Sequence, residues 1–233
     1  MAFNYQSTQD QDDYDDLFYP LFLNIRNKPV VVIGGGPVAE RKILRLIEYS
    51  AQVKVISPDV TEAIDLMADS GIIELEKREY QKGDVSECYL AISACGVDSV
   101  DKEVYHEADS KFIPVNVVDV PKLCTFTVPS VVRRDPLQIA ISTGGNSPSY
   151  AKKLRKQLEE EIDPIYGPYV MFLGQVRDLV KSRVSGPEKI RKELLHDLVE
   201  SDLFERYCAG EHMAVDEVFD EYIKPNISKY KEQ

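Results

Sequence analysis

Val30-Val31-Val32-Ile33-Gly34-Gly35-Gly36-Pro37-Val38-Ala39-Glu40-Arg41-Lys42 is a buried-strand run that breaks into glycines and restarts as a helix. Gly34 permits a tight turn, Gly36 lets the backbone approach a pyrophosphate, and Ala39 allows the helix to pack closely on the strand. This is the G-x-G-x-x-G/A layout of a dinucleotide-binding turn. Gly35, Pro37 and Val38 complete it, and the helix N-terminus adds N–H groups and partial positive charge for the phosphates. A glycine turn that only joins a strand to a helix is the alternative.

The surrounding pattern supports an α/β fold. Residues 38–50 place Val38, Ile43, Leu46 and Ile47 near one helical face. Residues 52–57 alternate with a β period, so Ser57 and Pro58 fall at the strand tip beside a cofactor ribose. The acid that usually holds ribose hydroxyls is missing from that tip, although Asp59 follows. NAD is favoured because no Arg stands there to clamp a 2′-phosphate, while Lys54 keeps NADP open. Further strands are expected at 72–76, 89–94 and 113–118, with helices at 60–68 and 99–110. Such alternation predicts a Rossmann-type parallel sheet covered on both faces. The strand at 89–94 then delivers Ser93, Ala94 and Cys95 to the crevice beyond the carboxyl ends, or else forms a small-residue loop without contact.

After Val120 the alternation stops. Residues 125–128 and 137–142 read as two antiparallel strands across the charged turn Arg133-Arg134-Asp135-Pro136. From Ala151 onward the periodicity is helical.

Bulk properties limit the function classes. The 233 residues are 43% hydrophobic, enough for a full core, and no run approaches a membrane span. Together with the absence of signal-peptide features, this predicts a cytoplasmic protein. A net charge of −12 argues against nucleic acid as a partner. Asp10, Asp12, Asp13, Asp15 and Asp16 make residues 1–17 an expected disordered acidic tail. Cys88, Cys95, Cys124 and Cys208 lack C-x-x-C spacing, and His106, His196 and His212 lack metal-ligand spacing, so no resident metal is expected.

Four blocks resemble the precorrin-2 dehydrogenase family, including the N-terminal module of sirohaem synthases. They are Tyr19-Pro20-Leu21-Phe22-Leu23, the turn from Ile33 to Lys42, Val115-Asn116-Val117-Val118-Asp119-Val120-Pro121-Lys122, and Ser142-Thr143-Gly144-Gly145-Asn146-Ser147-Pro148. The resemblance implies NAD-dependent oxidation of precorrin-2 to sirohydrochlorin, with metal insertion in some members, and an intertwined homodimer. It also implies that Asp119 is the key carboxylate. At the carboxyl end of a parallel strand, Asp119 can accept a proton as general base, orient the macrocycle, or receive protons displaced by a metal. Without the resemblance, it reads as a turn residue before Val120-Pro121.

A polycarboxylate substrate calls for local positive charge. Candidates are Lys122 after the Asp119 block, Arg133 and Arg134 in the turn, and Lys152, Lys153, Arg155 and Lys156 on the following helix, with the neutral Asn116 as a further substrate contact. A solvated helix face is the other reading of the last group. Ser147 as N-cap and Pro148 at the first helical position let Thr143, Gly144, Gly145 and Ser147 offer N–H groups to a substrate carboxylate. The expected organisation is an acidic tail (1–17), a Rossmann domain (18–119), a small strand-containing dimerisation and substrate region (120–150) and a helical C-terminal domain (151–233). Two other functions fit parts of the pattern: a chelatase using the same site, and a non-catalytic NAD-binding regulatory module.

Overall fold

The computed structural model describes residues 18–231, so the expected acidic tail lies outside the described residues. The chain divides into two compact units with the boundary between Val128 and Pro129.

The first unit contains strands β1 (Pro29–Ile33), β2 (Gln52–Ile56), β3 (Glu74–Glu76), β4 (Leu90–Ser93) and β5 (Val115–Val117). They form one sheet in the order β3-β2-β1-β4-β5, and every pairing is parallel. Helices α1 (Pro37–Glu48), α2 (Glu62–Asp69) and α3 (Asp98–Ser110) cover it. Val30 and Val32 pack with Ala39, Ile43 and Leu46 of α1 and Ile64 of α2. Val31 and Ile33 pack with Val104 and Ala108 of α3. Burial on both faces explains why β1 is continuously apolar instead of alternating.

The β3–β4 connection contains no helix. Val85 and Cys88 enter the core there, and the loop is tied to α3 through the buried Glu107. Its carboxylate accepts from the Gly83 N–H at 2.9 Å, the Ser86 hydroxyl at 2.6 Å and the Tyr80 hydroxyl. Burial works against the Glu107 charge, but these three donors outweigh it and hold the carboxyl below the usual carboxylate range. Its stabilisation is therefore complete above the unfolded value of about 4.3 and is lost as pH falls through the lower folded value. The wild-type urea midpoint is expected to fall more steeply below about pH 4.3 than that of Glu107→Gln. Superimposable acid profiles would contradict this assignment.

In the second unit, β6 (Ser130–Arg134) pairs antiparallel with β7 (Leu137–Ile141), with Arg134 opposite Leu137. The turn is reduced to Asp135-Pro136, and Asp135 has φ +51°. Positive φ followed by proline is the dihedral pattern of a type II′ hairpin turn. This corrects two expectations. Residues 125–128 are not β7's partner, and Arg133 and Arg134 lie in a strand. Thr125 is held on β5 instead, its N–H donating to the Val115 carbonyl at 2.8 Å.

Helices α4 (Pro148–Glu161), α5 (Tyr166–Arg183), α6 (Glu188–Val199) and α7 (Leu203–Cys208) follow. Helix α8 (Val215–Val218) runs into a π turn over Phe219–Ile223, a 3-10 turn and α9 (Ile227–Lys231). Val176, Val180, Leu194, Leu198, Leu203, Val218 and Ile223 form a core shared by α5, α6, α7, α8 and the π turn, whereas α4 packs on the β6–β7 hairpin. The short α7 was not expected from periodicity, because six residues span less than two helical turns. Among the described residues, no helix is long and apolar enough to cross a membrane.

Candidate cofactor site

The carboxyl ends of β1, β4 and β5 are level, since Ile33 pairs with Ser93 and Ser93 with Val117. The chain runs from β1 outward through β2 and β3, then crosses back to β4 on the other side of β1, making β1/β4 a topological switch point, where open α/β sheets bind ligands.

The three glycines have separate tasks. Gly34 has φ +113°, and a Cβ there would lie 2.6 Å from the Ala94 carbonyl oxygen and 2.8 Å from the Cys95 nitrogen. The Gly34 N–H donates to the Ile56 carbonyl at 2.9 Å, binding the turn to the neighbouring strand tip. A Cβ on Gly35 would meet the Asp59 carbonyl oxygen at 2.3 Å. Around Gly36 nothing lies within 4 Å of such a Cβ. That exposed glycine caps α1, and Pro37 opens the helix. Open space over a helix N-terminus fits a phosphate-bearing cofactor, with the N–H groups of Val38 and Ala39 directed outward from the first turn. Ser57 is buried, its hydroxyl donating to the Asp59 carbonyl at 2.7 Å, while Pro58 is exposed. Thr61 caps α2 and donates to Glu40 at 2.7 Å, joining the two helix starts.

At the end of β4, Ser93 is fully buried. Its hydroxyl donates to the buried Asp101 at 2.6 Å, and the Cys95 thiol reaches the same oxygen at 3.4 Å. These side chains fasten α3 to the sheet. Ala94 is half-buried and lies beside the Gly34 turn.

Beyond β5, the Val120 N–H donates to the Val117 carbonyl at 3.3 Å. Asp119 stands third in this turn with φ +62°, the place and dihedral that a type II turn normally gives to glycine or asparagine. The conformation costs a residue with a Cβ about 1 kcal/mol, and aspartate is among the few that tolerate it. Asp119 and Lys122 are exposed. Asn116 is turned inward, its amide donating to the Phe126 carbonyl at 3.0 Å. The Cys124 thiol, read from sequence as an ordinary reduced cysteine, lies against this turn. Val117 N–H donates to Sγ at 3.3 Å, and Sγ lies 3.2 Å from the Val117 carbonyl and 3.4 Å from that of Val120. Burial raises the Cys124 thiol above its ordinary range, keeping it protonated at neutral pH.

In the second unit, Ser147 caps α4 by accepting the Tyr150 N–H at 3.3 Å. The preceding loop uses several N–H groups internally: Gly144 donates to the Ser142 hydroxyl at 3.2 Å, Asn146 to the Thr143 carbonyl and Ser147 to the Thr143 hydroxyl, both at 3.1 Å. The expected row of free donors is therefore smaller, because Thr143 closes the loop from within. Gly144 and Gly145 supply its positive φ angles. Lys152 is exposed, and Arg155 pairs with Glu159 on the same helix. Arg134 donates to the carbonyls of Glu159 and Ile162, each at 2.8 Å, so it caps the end of α4.

The fold and glycine turn define a Rossmann-type dinucleotide-binding unit. A family model described as "Putative NAD(P)-binding" matches residues 21–130, and one described as "Sirohaem biosynthesis protein central" matches residues 134–161. A siroheme synthase of Nitrosococcus oceani is 37% identical over 194 residues, covering 83% of this chain and 41% of that protein. Another, of Ruthia magnifica, is 39% identical over 175 residues, covering 75% of this chain and 37% of that protein. The chain thus spans about two fifths of the length of these relatives. The solved structure of SirC, a precorrin-2 dehydrogenase, has the same fold with a TM-score of 0.69. It is 24% identical, with 91% of this chain and 100% of that one covered. The chain is thus similar to sirohaem synthases over the part of them that it spans, in agreement with the resemblance carried by its four sequence blocks.

Proposed function

We propose that this chain oxidises precorrin-2 to sirohydrochlorin with NAD as hydride acceptor. The carrying observation is Asp119, an exposed carboxylate in a left-handed turn, two residues beyond a strand whose tip is level with that of the glycine turn. Left-handed backbone at a residue other than glycine is a cost retained most often at functional positions.

When bound, NAD would supply the hydride acceptor for the oxidation. Gly34, Gly35 and Gly36 shape its pyrophosphate turn, with Pro37, Val38 and Ala39 at the helix entry. Ser57 and Pro58 would adjoin the ribose, and Ser93, Ala94 and Cys95 form the neighbouring strand end. Arg78 donates two hydrogen bonds to Asp84 and also pairs with Glu76, so this cation just beyond β3 is already committed. That supports NAD over NADP.

Oxidation removes a hydride and a proton. The Asp119 carboxylate takes the proton and returns it to solvent, which keeps charge balanced. Asn116 supports the turn, and Lys122 supplies positive charge for the substrate's carboxylates. Thr143, Gly144, Gly145, Ser147, Lys152 and Arg155 are proposed as further substrate contacts. The working organisation we propose is a homodimer in the cytoplasm, with the Rossmann domain (18–119) joined to a dimerisation region (120–150) and a helical domain (151–233).

The test is anaerobic incubation with precorrin-2 and NAD, following NADH and sirohydrochlorin absorbance together. Both signals are expected to grow in step, with NADP supporting less turnover. Folded protein that binds NAD and leaves precorrin-2 unchanged would sink the dehydrogenase reading.

A further inference from the structure

Strand β5 is the edge of its sheet, and its outer N–H and C=O groups meet Thr125 and the Cys124 thiol where a sixth strand would lie. The Val115 N–H donates to the Thr125 hydroxyl at 2.8 Å, while the Thr125 N–H returns to the Val115 carbonyl at 2.8 Å. One step along, the Cys124 thiol repeats this exchange at Val117, accepting its N–H at 3.3 Å and facing its carbonyl at 3.2 Å. The same sulfur also faces the Val120 carbonyl at 3.4 Å and the Asn116 amide at 3.5 Å. Val117 and Val120 are the two ends of the turn that carries Asp119. One side chain therefore touches the strand before Asp119, the residue after it and the asparagine behind it.

We infer that Cys124 is a positioning residue for Asp119: its thiol holds the left-handed turn at the end of β5 and so fixes where the carboxylate stands. The inference rests on the proposed role of Asp119, but the clamp itself is a property of the free protein. Thiol size and chemistry suit the place. Hydrogen bonds to sulfur are longer than those to oxygen, and a neutral S–H can donate while its lone pairs accept. Serine keeps both capacities with shorter bonds. Alanine keeps neither, leaving the Val117 N–H without its partner and the turn with one fewer restraint.

The test compares wild type, Cys124→Ser and Cys124→Ala as full chains, by two readouts. The first is amide hydrogen exchange without substrate. In Cys124→Ala, exchange at Val117 and Val120 is expected to rise about tenfold, the equivalent of losing roughly 1.4 kcal/mol of local protection. Amides of β1 are expected to keep their wild-type rates, and serine should restore most of the protection. The second is steady-state turnover of precorrin-2. In Cys124→Ala, kcat should fall about tenfold with the Kd for NAD unchanged, and serine should recover much of it. Global destabilisation would instead raise exchange at β1 as well, and it would overturn a specific positioning role. Wild-type exchange at Val117 and Val120 in the alanine variant would overturn the clamp, whatever the activity. A wild-type chain inactive on precorrin-2 would overturn the catalytic reading of Asp119 and with it the positioning role. It is distinguishable from failure of the clamp because exchange is measured without turnover.

Discussion

Asp119→Asn is expected to lower precorrin-2 turnover by about 100-fold or more while leaving NAD affinity intact. Asparagine is nearly isosteric with aspartate and is also tolerated at positive φ, so the type II turn with φ +62° remains. The substitution removes proton acceptance and negative charge without removing the turn. Asp119→Gly separates the two roles further. Glycine adopts this dihedral without steric cost, so the urea midpoint is expected to hold or rise while turnover still collapses. Stability and activity moving in opposite directions would mark a residue kept for chemistry at the expense of its backbone. An unchanged rate in the asparagine variant would remove Asp119 from the proton-accepting role. A glycine variant that lost stability would show that its side chain supports the fold.

The glycine turn yields the second large effect, with opposite consequences two residues apart. Gly34→Ala places a Cβ 2.6 Å from a backbone carbonyl oxygen at φ +113°. Neither the dihedral nor the neighbouring strand end can yield cheaply, so a loss of about 3 kcal/mol or more is expected. It would appear as a lower urea midpoint. Gly36→Ala meets nothing within 4 Å and has φ −78°, an ordinary value for alanine. Its midpoint should match wild type. The added methyl instead occupies the approach of the pyrophosphate, and NAD affinity should fall about tenfold or more, roughly 1.4 kcal/mol. A Gly36→Ala protein that binds NAD normally would place the cofactor elsewhere, even if Gly34→Ala unfolds.

The turn and its flanking strands were legible in the sequence because two strong local signals agree there. A strand buried on both faces is continuously apolar, and the glycines interrupt it where the chain must change direction. The lone hairpin was harder. Residues 125–128 carry β-forming side chains, but what they pair with is decided by the 3-10 turn at Pro121–Leu123, which brings Thr125 back beside β5. Tertiary context also redirected individual polar residues. Arg134 looked like an anion contact because it is charged and near a turn, yet the end of α4 engages its guanidinium. Ser93 was expected at the cofactor because its strand points there, but its hydroxyl meets Asp101 from the next helix, which one strand's spacing cannot show. Cys124 gave no signal at all, since its partners are backbone groups of residues 117 and 120 and the Asn116 amide, which only the fold brings to it.

The side-chain closure of β5 has a consequence for the assembly of the sheet. An open parallel edge is a template on which any passing extended segment can add, in a nascent chain or between molecules. Here Thr125 and Cys124 occupy the hydrogen-bonding positions at Val115 and Val117 before a foreign strand can. The sheet is terminated at five strands on that side by sequence-local groups that arrive only a few residues after the strand itself. Loss of those groups would leave a short β-branched strand adhesive, so a chain altered at 124–125 should show concentration-dependent association before it shows any loss of helix.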